Sequence, residues 1–134
     1  MNPPDILMFV TVDLEAWGRA LLHYEPWLTE ECSSDLRRNG IPYRPAWWKG
    51  RAVGPAERQV FSRVLRSLVG RGLIIPLVDK GGRTSHIRPT PSGLLSVLVE
   101  FGNAPDRQNL SRALGVASWA GPEHLSAVLG GSDE

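Results

Sequence analysis

The chain has 134 residues, of which 42% are hydrophobic and 22% are charged, so it is long enough for one domain with its own core. The single cysteine, Cys32, excludes an intrachain disulfide and a metal site built from several cysteines. Its apolar runs are shorter than the roughly 18 residues that span a membrane, so we predict no membrane-spanning segment and expect no membrane partner. No basic secretory signal is visible at the N-terminus, and we expect a cytoplasmic protein.

The net charge of +1 conceals a strong asymmetry along the chain. Between Arg37 and Arg88 there are twelve Lys and Arg residues and two acids, Glu57 and Asp79, whereas the remainder has three basic residues and twelve acids. A basic cluster of this size is typical of a surface that binds nucleic acid. The alternative is a solvated basic surface that pairs with the acidic ends of the same molecule.

Two helices are predicted in the N-terminal third. Residues 5–23 fit a helix with a wide apolar face. The first half, ILMFVTV, has the composition of a strand, but the periodicity continues through Leu22 and favours the helix. A shorter helix is predicted at about residues 28–38, with Thr29 as its N-cap and Asn39-Gly40 as its end.

Residues 41–53 are predicted to be a loop, because they include two prolines and a glycine and lack a hydrophobic period. Aromatic and basic side chains alternate there, and such side chains can stack on bases and neutralise phosphates. We interpret Trp47 and Trp48 as filling the gap ahead of the next helix. The basic side chains of the loop are expected to face a polyanion: Arg44, Lys49 and Arg51.

The clearest helix of the sequence is predicted at about residues 55–71. Gly54 and Pro55 suit its N-cap and first position, and Gly72 suits its end. Its apolar residues recur at spacings of three and four and therefore share one face: Phe61, Val64, Leu65 and Leu68. The opposite face has cationic and amide donors and no acid: Gln59, Ser62, Arg63 and Arg66, with Arg58 at the margin.

A β-hairpin is predicted after this helix, at about residues 73–89. The apolar run 73–78 has strand character, and Pro76 requires an open side there. A polar turn with Gly81-Gly82 connects it to a second strand at residues 86–89. Lys80 and Arg83 make the turn positively charged, and we call this hairpin tip the basic finger. Its glycines lack the rest of a P-loop, so we expect no nucleotide site there.

Further helices are predicted in the C-terminal part. Thr90 suits the N-cap of a helix that is apolar nearly all round, so this helix must be buried in the domain or against a second subunit. Shorter helices are expected near residues 107–114 and 122–129, with Asp106 and Gly121 as N-caps. We divide the chain into a domain of residues 1–103 and a helical extension of residues 104–134, which packs on that domain or on a dimer partner.

These elements resemble a known fold family. Residues 62–74 (SRVLRSLVGRGLI), the hairpin and residues 84–93 (TSHIRPTPSG) are similar to the recognition helix, wing and post-wing helix of winged helix-turn-helix regulators of the MarR type. The resemblance implies a mainly α fold with a small β-hairpin, in the α+β class. One difference is the loop of about fifteen residues before the recognition helix, where a compact helix-turn-helix has three or four.

Charge and resemblance together predict a protein that binds double-stranded DNA, a transcriptional regulator or similar control factor. Helix 55–71 is expected to read the major groove, where arginine suits guanine and glutamine suits adenine. The basic finger would lie along phosphates or in the minor groove, and the cations outside the reading face would neutralise the backbone: Arg44, Lys49, Arg51 and Arg58.

Two alternatives to DNA binding remain. A winged helix can also act as a protein-interaction module in a larger assembly. An enzyme is disfavoured, because His23, His86 and His124 are scattered and form no metal or hydrolase motif. We expect no cofactor and a homodimer, since symmetric homodimers are the commonest oligomers.

Overall fold

The computed structural model describes residues 6–23, 30–98 and 104–129. This part of the chain is mainly helical with a small antiparallel sheet, in agreement with the predicted α+β class. None of its helices combines the length and the apolar character needed to cross a membrane. Its elements in chain order are α1 Ile6–His23, α2 Glu30–Asn39, β1 Ile41–Pro42, α3 Pro45–Lys49, α4 Pro55–Gly70, β2 Ile74–Val78, β3 Thr84–Pro89, α5 Pro91–Leu98, α6 Ala104–Gly115 and α7 Pro122–Val128.

Helix α1 forms the centre of the core, which confirms the helical interpretation of the first segment. It contacts helices α4, α5 and α6 and strands β1 and β3. The apolar stripe of α1 is buried against several neighbouring elements. This burial stabilises the helix by more than the strand propensity of its first half destabilises it. Its buried apolar residues follow the helical period: Ile6, Leu7, Val10, Leu14 and Trp17.

The prediction of a loop at residues 41–53 is wrong in part, because this stretch includes a strand and a helix. Strand β1 pairs with β3, with Ile41 opposite Ile87. In α3, Pro45 takes the first position and Gly50 ends the helix in the left-handed region, at φ 73°. Elements of two and five residues are too short to show a hydrophobic period. Only residues 50–54 therefore separate α3 from α4.

Helix α4 has the start and the two faces that the sequence predicts. Gly54 is the N-cap in an extended conformation, and Pro55 follows at the first position. Phe61, Leu65 and Leu68 are buried, and the side chains on the opposite face are exposed. The helix ends at Gly70, one residue before the predicted end. This arrangement places one face of α4 in the core and presents the other to solvent.

The sheet has the order β1-β3-β2, so the hairpin is extended by a third, short strand. Strand β3 begins at Thr84, two residues earlier than predicted. Pro76 lies opposite Ile87 on β2, which is an edge strand of the sheet, as its missing N–H requires. The register shifts between Leu77 and Val78, where the strands approach the hairpin turn.

The C-terminal helices complete the same core. Thr90 Oγ1 accepts a hydrogen bond from the Gly93 N–H at 3.0 Å, as predicted for the N-cap of α5. Helix α6 begins at Ala104, so Asp106 lies inside it and the prediction of Asp106 as N-cap is wrong. Gly121 is the N-cap of α7, as predicted. Both terminal helices contribute to the core cluster, with Leu110, Ala113 and Leu114 from α6 and Ala127 and Val128 from α7.

The C-terminal end of α2 is held by side chains from distant parts of the chain. Ser118 donates from its hydroxyl to the Arg37 carbonyl at 2.7 Å, and the Trp119 indole donates to the Leu36 carbonyl at 2.9 Å. Arg88 of β3 donates to the carbonyls of the last two residues of α2. These bonds satisfy carbonyls that a helix end leaves without an intrahelical partner.

The crossing of α1 and α6 requires a glycine, and its substitution is expected to destabilise the fold. A Cβ at position 18 would overlap the Asn109 carbonyl oxygen, a backbone atom that cannot move alone. We expect Gly18→Ala to lower the free energy of unfolding by about 1–3 kcal/mol or more, measured by urea denaturation. Gly70→Ala is the matched control, because nothing lies within 4 Å of its Cβ and alanine favours a helix by about 0.5–1 kcal/mol. Equal stability of the two variants would contradict this packing.

The hydrogen bond at the start of α7 is expected to make the stability of the protein depend on pH. The His124 Nδ1 accepts a hydrogen bond from the Gly121 N–H at 3.0 Å, which requires an unprotonated nitrogen. Burial lowers the pKa of His124 below 6.5, and a backbone hydrogen bond with Pro89 and the charge of Glu123 oppose this without outweighing it. The unfolded chain therefore binds the proton more readily than the folded chain, so stability falls as the pH drops through 6.5.

The measurement is urea denaturation of the wild type and of His124→Gln at pH 7.5, 6.5 and 5.5. The stability advantage of the wild type over the variant is expected to shrink toward acid, because glutamine does not titrate. An advantage that stays constant over these pH values would contradict the lowered pKa.

Candidate nucleic-acid interface

Five of the side chains predicted to contact DNA lie together on the exposed face of α4, which we call the α4 outer face. They line an open groove of about 360 Å³: Arg58, Gln59, Ser62, Arg63 and Arg66. All five side chains are exposed. Within the described residues, no acid forms an ion pair with Arg58, Arg63 or Arg66. Among the described residues, the cations and amide donors of the α4 outer face thus form a row without a paired acid.

The spacing of the side chains on the α4 outer face suits a ligand with a regularly repeating structure. Gln59, Arg63 and Arg66 follow one another at intervals of four and three residues, so they point to the same side of the helix. At 1.5 Å of rise per residue, the interval from Gln59 to Arg66 covers about 10 Å. Stacked base pairs are about 3.4 Å apart, so this row matches about three of them.

The inner side of α4 is anchored through an aromatic cluster, which we define as Phe9, Tyr43, Trp48 and Phe61. The Trp48 ring stacks on Phe9 with centroids 5.5 Å apart and an interplanar angle of 9°. Phe9 also stacks on Phe61 of α4, at 6.3 Å. Tyr43 meets the edge of Trp48 at 5.8 Å. The cluster fixes α3 and α4 on α1, so the α4 outer face is presented by a rigid support.

The two adjacent tryptophans have different environments. Trp48 fills the gap ahead of α4 as predicted, and its indole N–H donates to Asp13 Oδ2 at 2.7 Å. Trp47 is 69% exposed, so the prediction that it also fills this gap is wrong. Neighbouring helical residues point about 100° apart, and a single turn of helix cannot direct both rings into the core.

Arg44, predicted to contact phosphate, is engaged within the protein. Its guanidinium donates to Asp13 Oδ2 at 3.1 Å and lies over the Trp47 ring, 5.0 Å from the centroid. Asp13 therefore binds two side chains of the 41–53 segment and joins it to α1. The charge of Arg44 is compensated here, and its contact with phosphate stays a prediction.

Arg51 is also paired, but at the surface. Both of its terminal nitrogens donate to Glu57, each at 2.7 Å from one carboxylate oxygen. The hydrogen bonds from Arg51 lower the pKa of Glu57, and the charge of Lys49 acts in the same direction. The pair joins the α3–α4 turn to the first turn of α4, next to the α4 outer face.

The hairpin tip is organised by one acid. Asp79 Oδ1 accepts hydrogen bonds from the N–H groups of Gly81 and Arg83, at 2.9 and 3.0 Å. The Asp79 N–H donates to the Arg83 carbonyl at 2.8 Å, and Gly82 adopts a φ of 82° that favours glycine. Lys80 and Arg83 are exposed on this ordered turn. The basic finger is thus a defined structure rather than a loose loop.

A serine, a histidine and an aspartate also meet at the sheet. His86 Nδ1 lies 2.9 Å from Ser85 Oγ, and His86 Nε2 lies 3.0 Å from both Asp35 oxygens. Burial acts to raise the pKa of Asp35, but hydrogen bonds from Asn39 and His86 and nearby charges outweigh it, so the pKa is lowered. Ser85 Oγ also donates to the Leu77 carbonyl within the hairpin. These contacts join α2 to β3.

The side chains that the sequence prediction missed are the acids that hold the basic residues in place. Glu57 and Asp79 are the two acids inside the basic segment, and this rarity was a usable signal. Asp13 carried no comparable signal, because it belongs to a distant helix. Among the described residues, no group of three or more His, Cys, Asp and Glu side chains is placed to hold a metal ion.

A comparison of the chain with protein-family models, with curated proteins and with solved structures finds no significant match. Its function is therefore inferred from the side chains described above and from the elements that hold them.

The order of the hairpin tip is expected to depend on the Asp79 carboxylate. In Asp79→Ala the amides of Gly81 and Arg83 lose their acceptor, and we expect both to exchange with solvent several-fold faster in NMR hydrogen exchange. Asp79→Asn is the control, since its side-chain oxygen can accept the same bonds without charge. Unchanged exchange in Asp79→Ala would show that the carboxylate does not order the tip.

Proposed function

We propose that this protein binds double-stranded DNA through the α4 outer face, as a winged helix-turn-helix protein that controls transcription or a similar DNA transaction. The observation that carries the proposal is the exposed row of arginine and amide side chains on a helix whose opposite face is fixed in the core. Arginine forks bind guanine and phosphate in two-point contacts, which makes this row chemically suited to the major groove.

The order of elements supports the winged helix-turn-helix assignment. Helix α3, the turn at residues 50–54 and helix α4 match the two helices and short turn of a helix-turn-helix much better than a fifteen-residue loop does. The basic finger follows α4 directly, and β1 adds a third strand to its sheet. This order is in keeping with the resemblance to MarR-like regulators.

Each part of the surface has its own role in this proposal. Gln59, Arg63 and Arg66 read base edges, with Ser62 between them as an adaptable donor or acceptor. Arg58 and Lys49 neutralise backbone phosphates at the margin of the groove. Lys80 and Arg83 place the basic finger along the backbone or in the minor groove next to the helix.

A homodimer in the cytoplasm is part of the same proposal. Two copies related by a twofold axis would read two half-sites about one helical turn apart, and the exposed Leu95 on α5 offers apolar surface for the contact.

One observation favours a second candidate, a protein-interaction module. Trp47 exposes 69% of its surface, and an indole ring left in solvent is a frequent anchor of protein interfaces. That candidate predicts binding that responds weakly to salt and does not depend on Arg63.

The proposal is tested by titrating duplex DNA of mixed sequence with the wild type and with Arg63→Ala/Arg66→Ala across a salt series. We expect the wild-type affinity to fall linearly in log salt, and the double variant to lose about 1–3 kcal/mol per base contact together with its sequence preference. Arg19→Ala/Arg112→Ala is the matched control, because it removes the same charge from α1 and α6. An affinity for duplex DNA that changes neither with salt nor with the α4 substitutions would contradict the proposal.

A further inference from the structure

The surface pair between Arg51 and Glu57 has the chemistry of an occupied phosphate site. We propose that Glu57 is an internal substitute for a DNA backbone phosphate, which binds Arg51 in the free protein and is displaced by a phosphate of the duplex in the complex. This inference rests on the proposed function, and it adds a residue that sets the affinity of the interface.

The contact between Arg51 and Glu57 has the geometry of an arginine–phosphate contact. Each Glu57 oxygen accepts from a different nitrogen of the Arg51 fork, and both distances are 2.7 Å. A phosphodiester presents two anionic oxygens in a similar arrangement, and arginine binds carboxylate and phosphate by the same two-point geometry. The Glu57 carboxylate therefore shows where a phosphate would be bound.

Further groups near Glu57 also favour an anion at this position. Besides the hydrogen bonds from Arg51, the backbone of Gly54 and the charge of Lys49 act to lower the pKa of Glu57. Gly54 is the N-cap of α4, where the helix dipole also favours an anion. This position therefore favours an anion, and in the free protein that anion is a side chain of the chain itself.

Exchange of the Glu57 carboxylate for a phosphate on Arg51 requires little free energy. The side chain of Arg51 is 55% exposed, and that of Glu57 is 35% exposed. Exposed ion pairs contribute little to stability, so a phosphate can displace the carboxylate without a large penalty in free energy. Arg44, by contrast, is 33% exposed and its partner Asp13 only 13%, which makes that pair the less exchangeable one.

The position of the pair fits this role. Arg51 lies in the α3–α4 turn, and Glu57 directly precedes Arg58 and Gln59 of the α4 outer face. Glu57 is also the only acid between Arg37 and Val78 in the sequence. Glu57 therefore competes with a phosphate for Arg51. Since a phosphate contact carries no sequence information, Glu57 weakens binding to all duplexes by the same factor.

The test compares Glu57→Gln with the wild type by fluorescence anisotropy, using a labelled random-sequence duplex at about 0.1 M salt, where the Debye length is about 10 Å. We expect Glu57→Gln to bind about 2- to 5-fold more tightly, the factor that corresponds to an exposed ion pair. We expect the log–log salt slope to stay close to that of the wild type, because Arg51 contacts a phosphate in both complexes.

Glu123→Gln is the matched control. Glu123 is exposed and lies in the first turn of α7, after a glycine N-cap and a proline, as Glu57 does in α4. Glu123→Gln removes the same charge at the same kind of helix position, and we expect it to change the affinity for DNA less than Glu57→Gln does. Circular dichroism and thermal unfolding check that each variant is folded.

A double-mutant cycle with Arg51→Ala separates exchange from a general change of charge. We expect Arg51→Ala to cost more affinity in the Glu57→Gln background than in the wild type, because Arg51 is fully available to phosphate only without its internal competitor. Equal costs in the two backgrounds, or equal affinities of Glu57→Gln and Glu123→Gln, would overturn the inference and leave DNA binding intact. If neither the wild type nor Glu57→Gln binds duplex DNA in a salt-dependent way, the proposed function itself fails.

Discussion

The stacking of Trp48 on Phe9 is the interaction on which the rest of the surface depends. It joins α3 to α1, and Phe61 extends the same cluster into α4. Asp13 reinforces the joint by accepting hydrogen bonds from Trp48 and Arg44. Aromatic rings bury a large area and pack in defined geometries, so a few of them can orient two helices on a third. The α4 outer face is exposed because this cluster holds the opposite face of α4 in the core.

Three acids contact the basic segment, and two of them form an ion pair with an arginine. Asp13 binds Arg44, Glu57 binds Arg51, and Asp79 orders the hairpin tip through backbone amides. Arg63 and Arg66 are exposed on α4. A field concentrated on one helix face guides a polyanion to that face, whereas the same charges spread evenly would attract it without orientation. The acids therefore matter to the proposed function as much as the arginines do.

Elements with strong local signals were predictable. Proline and glycine mark the start of α4, and the apolar period marks its two faces. The hairpin follows from an apolar run and a second strand joined by a turn with two glycines, and the N-cap of α5 follows from Thr90-Pro91. Strand β1 and helix α3 were missed, because two and five residues are too few to carry a pattern. Trp47 was misassigned for the same reason: no period distinguished it from Trp48.

The sequence by itself determined where the cationic face would lie and which side chains it would have, because a helical period and its caps are properties of neighbouring residues. Only the tertiary structure decided which cations are available to a ligand. Arg44 meets an aspartate 31 positions away, and the turn before α4 folds back so that Arg51 reaches Glu57. Such pairs depend on how distant elements pack, and local spacing holds no information about packing. Of the ten predicted contacts, seven are exposed on α4 and the hairpin, Arg44 and Arg51 are paired within the fold, and Lys49 lies at the end of α3.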